Sequence, residues 1–358
     1  MTPKKSIRVL IVDDSALTRK ILREILSSDD DIEVVGTAMD PYIARTKIKQ
    51  LNPDVLTLDV EMPKMNGISF LKNLMRLRPM PVVMVSSLTQ KGADVALEAL
   101  GLGAVDYVGK PDVISETSLA DYSEEIISKI KMAASINRAP GASMKIPVAG
   151  ASPPVEASSK TLLKTNNHQA LVVIGASTGG TEAIKEIITR LQPDSYSVIV
   201  VQHIPSAFSR AFAERINKIS ALDVCEAKDN QAILPGHVYI APGDRHLIIV
   251  RDGNSSSYHC KLNDGEPVNR HKPSVDVLFR SVCMSAGSNA IGILLTGMGS
   301  DGALGLKDIH DAGAITIAQD EQSSIVWGMP GEAVKLQAAD FILPLNKIAD
   351  KVTTLMKK

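Results

Sequence analysis

The chain has 358 residues, of which 44% are hydrophobic, 22% charged and 3% aromatic, a length that points to two packed domains rather than one. A formal net charge of −1 excludes the basic surplus of a general nucleic-acid binder, and neither helix-turn-helix nor zinc-finger spacing occurs. Cys225, Cys260 and Cys283 are far apart in the chain, which fits reduced thiols rather than a disulfide framework or metal site.

The opening run MTPKKSIRVLIVDDS sets two lysines before an apolar stretch that ends in aspartates. It lacks the longer apolar region and cleavage site of a signal peptide. No stretch approaches the roughly 20 apolar residues of a membrane span, so a soluble, cytoplasmic protein without membrane insertion is expected. From there to residue 133 strand and helix patterns alternate. The strands are IRVLIVDD, IEVVGTA, DVLTLDV, PVVMVSS and AVDYVGK, and amphipathic runs such as ALTRKILREILSS lie between them. Apolar strands joined by crossover helices predict a parallel sheet covered on both faces, and five such units predict a flavodoxin-like α/β domain.

In such a sheet the carboxyl ends of the strands face one crevice. Asp13 and Asp14 end the first strand, Asp59 the third, Ser86 or Ser87 the fourth and Lys110 the fifth. Three clustered carboxylates call for a hard cation such as Mg²⁺. With a hydroxyl and an ammonium beside them, they suit phosphoryl transfer to a carboxylate. The motifs VDDS, LDVEMPKMNG, VSS and GAVDYVGKP make this region similar to the receiver domain of bacterial response regulators. The resemblance implies that Asp59 accepts a phosphoryl group from a histidine kinase. It further implies that Asp13, Asp14, Asp59 and the backbone carbonyl of Glu61 hold Mg²⁺. Lys110 would contact the phosphoryl group, with Ser86 the switch hydroxyl and Tyr107 its aromatic partner.

Residues 134–168 are rich in Pro, Ser, Ala and Gly without sustained periodicity, and read as a linker. From 169 to 358 the alternation resumes. ALVVIGAS, SVIVVQH, AIGILLTGM and AITIAQD predict a second, doubly wound and mainly parallel sheet. HVYIAPGDRHLIIVRDGNSSSYHCKL reads instead as an antiparallel hairpin, with turns at Gly243-Asp244 and Asp252-Gly253.

In LVVIGASTGGTEAI, a buried strand breaks at a glycine and reopens as a helix around Ser177. GASTG matches the G-x-S-x-G nucleophile elbow. The same serine also fits an ordinary N-cap or a phosphate-cradling turn, although the G-x-G-x-x-G spacing of a dinucleotide site is missing. A nucleophile needs a base and an orienting acid. His203 ends the strand SVIVVQH on the same rim as Ser177, and His271, in NRHKPSVDVLF, is the rival. Asp301, in ILLTGMGSDGALGL, and Asp320, after ITIAQ, are the candidate acids. The order Ser, His, Asp differs from the Ser, Asp, His of α/β-hydrolases.

GASTGG, VVQHIP, RHKPSVDVLF, LLTGMGSDGA and AQDEQSSIVWGMP, in that order after a receiver, make the whole chain resemble the chemotaxis protein-glutamate methylesterases. That resemblance implies Ser177 as nucleophile, His203 as base and Asp301 as its partner. Thr178, Met298 and His271 would line the site, Met298 lending an N–H to the oxyanion hole, with no cofactor in this crevice. The implied substrates are glutamate methyl esters, and glutamines, on the cytoplasmic helices of chemoreceptors, under control of receiver phosphorylation. The rivals are a second domain that binds a nucleotide through GASTGG and a non-catalytic adaptor.

Overall fold

A computed structural model describes residues 6–62, 66–86, 89–110, 116–138, 155–156, 170–194, 196–253 and 257–356. The chain divides into two compact units, Met1–Val148 and Ala149–Lys358. That boundary falls within the segment 134–168 expected to link them.

The first unit alternates β1 (Ile7–Val12), α1 (Ala16–Ser27), β2 (Ile32–Ala38), α2 (Pro41–Leu51), β3 (Val55–Asp59), α3 (Gly67–Leu77), β4 (Val82–Ser86), α4 (Gln90–Gly101), β5 (Asp106–Gly109) and α5 (Glu116–Arg138). Helix starts are written locally. The Ser15 side chain accepts from Thr18 N at the head of α1, and Asp40 caps α2 with Pro41 in its first turn. The strands pair in parallel in the order β2-β1-β3-β4-β5, the flavodoxin-like arrangement expected. All residues of β3 and β4 are buried, so a helical layer covers each face. Helix α5 runs to Arg138, past the expected boundary at 133.

The second unit contains β6 (Val155–Glu156), β7 (Ala170–Ala176), α6 (Gly180–Ile188), β8 (Tyr196–Gln202), α7 (Ser206–Asn217), β9 (Asp223–Glu226), β10 (Ala232–Ile233), β11 (His237–Ile240), β12 (His246–Arg251), β13 (Tyr258–Asn263), α8 (Val275–Ala286), β14 (Ala290–Leu294), α9 (Ala303–Asp311), β15 (Ile315–Gln319), α10 (Met329–Lys335), β16 (Phe341–Leu343) and α11 (Leu345–Met356). Its main sheet runs β6-β16-β15-β14-β7-β8-β11-β9 and is parallel except at β6. Every residue of β7, β8 and β14 is buried. Each fully buried Val, Ile or Leu there contributes roughly 1.5–3 kcal/mol. The chain leaves β7 to one side through α6 and returns to its other side at β14. The crevice at their carboxyl ends is therefore a topological switch point, where α/β folds place ligands.

One reading is corrected. HVYI is not a hairpin arm: β11 lies parallel between β8 and β9 in the main sheet. Three of its four residues are buried, as in a central strand. Asp244, at φ 63°, makes the expected turn, but that turn leads into a different sheet. The antiparallel hairpin is β12-β13, with β10 added to β13. Within the expected linker, Val155–Glu156 pair with β16 as an edge strand; the rest of 139–169 lies outside the described residues. Among the described residues no helix is long and apolar enough to cross a membrane.

Candidate active site

The first unit gathers its acids where the sheet topology requires. Carboxylate oxygens of Asp13, Asp14 and Asp59 lie within 4.8 Å of one another at the ends of β1 and β3. Asp13 and Asp59 are buried and Asp14 is exposed. Lys110 Nζ stands 2.9 Å from Asp59 Oδ2 and 3.4 Å from Asp13 Oδ2. Burial pushes the Asp59 carboxyl up to about 6 against the pull of Lys110, and raises Asp13 in the same way. Burial opposes the Lys110 ammonium, but its hydrogen bond and charge contacts with the two aspartates outweigh that and raise its pKa. Asp13 Oδ2 is buried and makes no hydrogen bond among the described residues, its ion pair with Lys110 being a long 3.4 Å, so it is an under-satisfied oxygen available to a cation. This donor set fits a hard divalent cation.

Glu61 N donates to Asp59 Oδ1 over 3.2 Å, which turns the Glu61 peptide beside the acids. Ser86 is buried at the end of β4, where its carbonyl accepts from Lys110 N over 2.8 Å. Ser87 lies outside the described residues. The Tyr107 side chain is buried, with Lys129 Nζ 5.3 Å from its ring centroid.

In the second unit, Ser177 follows β7 and His203 follows β8. The strands run in register to Ala176 opposite Gln202, and His203 N donates to Ala176 O over 3.1 Å. Adjacent parallel strands therefore deliver the two residues side by side. Buried Gln202 locks the pair by donating Nε2 to the carbonyls of Ser177 (2.8 Å) and His203 (3.1 Å). Helix α6 is capped by Gly179 at φ 77°, with no side-chain capping bond. Ser177 is therefore not its N-cap, and its half-buried side chain stands ahead of the helix start.

The loop after β14 closes the third side. Ser177 N donates to Thr296 O over 3.0 Å, and Thr296 Oγ1 donates to Thr178 O over 3.0 Å. A Cβ on Gly297 would come within 2.2 Å of Met329 Sδ and 2.8 Å of Ser177 Cβ, so only glycine allows this approach. Half-buried Met298 comes next, and Thr178 is buried.

The same loop carries Asp301, whose Oδ2 lies 2.8 Å from His203 Nε2. The Asp301 carboxylate sits on the N-terminus of α8, where it accepts from Val275 N (2.7 Å) and Asp276 N (3.3 Å). A helix N-terminus favours negative charge. Ser274 Oγ (2.8 Å) and Asn269 Nδ2 (2.9 Å) donate to its Oδ1. Burial alone would raise the Asp301 carboxyl, but the His203 hydrogen bond and charge, Asn269 and Val275 hold it well below the usual carboxylate range. An ionised carboxylate only accepts, so Nε2 of His203 carries the hydrogen. Among the described residues, Ser177 included, buried His203 Nδ1 has no hydrogen-bond partner.

His271 stacks on the His203 ring, with centroids 3.6 Å apart and planes 13° from parallel. It packs against the face of that ring. The other candidate acid, Asp320, accepts from Ser323 N and Oγ in its own turn. The sequence did not reveal Asn269 or the first-turn N–H groups of α8 as holders of Asp301. Their signal was the capping serine of PSVD, since a helix N-terminus beside a predicted acid is a natural holder for it.

Comparison with known proteins agrees with this architecture. Residues 172–352 match the family model described as CheB methylesterase, and 9–119 match the response regulator receiver domain. The protein-glutamate methylesterase/protein-glutamine glutaminase of Hydrogenovibrio crunogenus is 53% identical over 98% of this chain and 99% of its own length. The enzyme named protein-glutamate methylesterase/protein-glutamine glutaminase 1 of Xanthomonas campestris is 55% identical over 99% of both chains. The crystal structure of the Thermotoga maritima CheB methylesterase catalytic domain aligns with a TM-score of 0.50 at 36% identity, spanning 52% of this chain and 98% of that one. The chain thus belongs to the CheB methylesterase family and carries a response regulator receiver domain ahead of its catalytic domain.

Proposed function

We propose that this protein is a phosphorylation-controlled serine hydrolase. It demethylates glutamate γ-methyl esters, and deamidates glutamines, on chemoreceptors during chemotactic adaptation. The observation that carries the chemistry is the imidazole of His203. Asp301 takes Nε2–H at 2.8 Å, and Nδ1 is left buried and without a hydrogen-bond partner among the described residues, on the strand-end rim that Ser177 shares. Its lone pair is the base for the Ser177 hydroxyl.

Ser177 gives its proton to Nδ1 as Oγ bonds to the ester carbonyl carbon. The imidazolium is stabilised by the Asp301 carboxylate. Met298 N–H and the Thr178 region face the oxyanion of the tetrahedral intermediate. Collapse breaks the C–OCH₃ bond, and the imidazolium proton leaves with methanol. A water then loses its proton to Nδ1, attacks the acyl-serine and releases the glutamate carboxylate and the serine. With a glutamine substrate the same steps expel ammonia.

In the receiver, Asp59 is the phosphoryl acceptor. Asp13, Asp14, Asp59 and the Glu61 carbonyl would hold Mg²⁺, which when bound draws charge from the phosphoryl oxygens. Lys110 pairs with the phosphoryl group, and Ser86 and Tyr107 respond to it. A histidine kinase supplies that group.

The test is methanol release from a methylated receptor fragment. Ser177→Ala and His203→Ala are each expected to abolish it while Mg²⁺-dependent phosphoryl incorporation at Asp59 continues. Appreciable esterase activity in Ser177→Ala would overturn the assignment. Tight nucleotide binding unaffected by that substitution would favour a binding domain instead.

A further inference from the structure

The acid of this site has a carboxylate neighbour that the mechanism does not use. Asp276, in the first turn of α8, is 1% exposed, as is Asp301. Its Oδ1 accepts from Gly305 N over 2.7 Å, and its Oδ2 is approached by Arg280 Nη2 only at 3.9 Å. Two buried carboxylates this close repel one another unless a donor stands between them. That donor is one nitrogen: Asn269 Nδ2 lies 2.8 Å from Asp276 Oδ2 and 2.9 Å from Asp301 Oδ1. An amide nitrogen has two hydrogens, one for each acid. The backbone at Asn269 is built for the purpose, since its φ of 53° is a left-handed conformation that asparagine tolerates better than most residues.

We propose that Asn269 is a positioning residue for the hydrolysis, acting through Asp301. Its amide ties Asp301 to Asp276, fixing which carboxylate oxygen faces His203 and relieving the repulsion between the two acids. This inference rests on Ser177, His203 and Asp301 forming the reacting set. Burial and the Asp301 charge raise the Asp276 carboxyl while Asp301 itself is held low. The His203 contact, which touches Asp301 alone, sustains that asymmetry, while the shared amide lowers both carboxyls. Ser274 Oγ, Val275 N and Asp276 N also hold Asp301, but none of them bridges to a second carboxylate.

The test uses the full chain and steady-state methanol release. Asn269→Gly deletes the amide while keeping the left-handed backbone, and Asn269→Asp keeps the shape but replaces the shared donor with an acceptor. The Gly variant is expected to lose roughly 10–100-fold in kcat with KM within about three-fold, the scale of a misplaced catalytic group. The Asp variant should lose more than the Gly variant. In the Gly variant the downfield proton resonance of His203 Nε2–H should move. Adding Asp276→Asn to Asn269→Gly, which removes the repulsion the amide relieved, should recover much of the kcat. Wild-type kcat in Asn269→Gly, a loss confined to KM, or a lowered melting temperature with neither the kcat loss nor the recovery would overturn the proposal. Ser177→Ala runs alongside: if it too retains turnover, the hydrolase assignment itself has failed, whereas an inactive Ser177→Ala beside an unaffected Asn269→Gly sinks the role of Asn269 alone.

Discussion

Asp301 illustrates how much of the chemistry is fixed by one carboxylate and its donors. In Asp301→Asn an amide nitrogen can face His203, and the imidazole must turn its acceptor nitrogen toward that donor. The ring's hydrogen then sits on Nδ1, the atom that in the proposed mechanism accepts a proton from Ser177. A loss of about 10³–10⁴-fold in kcat is expected, measurable as methanol release, with substrate binding largely kept. The same residue predicts a pH dependence of stability. A carboxyl held below its ordinary range stabilises the folded state fully above the unfolded pKa of about 3.9, and loses that contribution as pH falls further. The melting-temperature gap between wild type and Asp301→Asn should therefore be widest near neutral pH and narrow in acid. Asp59 has the opposite sign. Its carboxyl is raised by burial to about 6, so its ionised form destabilises the receiver, and stability rises as pH falls through that value. In chelator at pH 7.5, Asp59→Asn should stabilise the first unit by about 1–3 kcal/mol. The gain should shrink as pH falls through about 6 and vanish only near the unfolded carboxyl value of about 3.9, and Mg²⁺ should stabilise wild type but not the variant. Thermal unfolding across pH reads all of these.

At the scale of elements, the site is an edge where β7, β8 and the loop after β14 meet, and glycine sets how closely they approach. Gly297→Ala would drive a methyl into Met329 Sδ and Ser177 Cβ. A destabilisation of about 1–3 kcal/mol is expected, typical of overpacking, with a fall in kcat because the displaced neighbour is Ser177. Unchanged kcat in a folded Gly297→Ala protein would show that the loop does not hold Ser177. The long strands and their crossover helices were legible in the sequence because continuous apolar runs of five to seven residues have few other uses. Strand-end placement alone put Ser177 and His203 on one rim, and it put the receiver acids in one crevice. What was not legible was short or non-local. β9, β10 and β16 are two to four residues long, below what periodicity resolves. HVYI looked like a hairpin arm because a turn follows it, yet sheet membership is decided by burial on both faces. Asn269 was hidden because its partners lie seven and 32 positions away, and no local pattern marks a donor shared by two distant acids. The choice of Asp301 over Asp320 depends likewise on α8 presenting its N-terminus to one loop and not the other.

Over the whole molecule, a phosphoryl-accepting unit is joined to a hydrolytic one, each complete in its own core. The Thermotoga maritima catalytic domain was crystallised as a chain that this protein's second unit covers almost entirely, so that unit is expected to fold when expressed alone. Control by the receiver requires that phosphorylation favour an open state over a closed one, since equal preference would shift nothing. Deleting residues 1–135 should raise basal methanol release if the unphosphorylated receiver restrains the crevice, and an unchanged rate would reject simple occlusion. The most direct test is methanol release by the full chain from a methylated receptor fragment, with and without a small-molecule phosphodonor and Mg²⁺. The expected result is a several-fold stimulation that is absent in Asp59→Asn, on a basal rate that is absent in Ser177→Ala. Methanol release that persists without the Ser177 hydroxyl, or stimulation that persists without the Asp59 carboxylate, would contradict it.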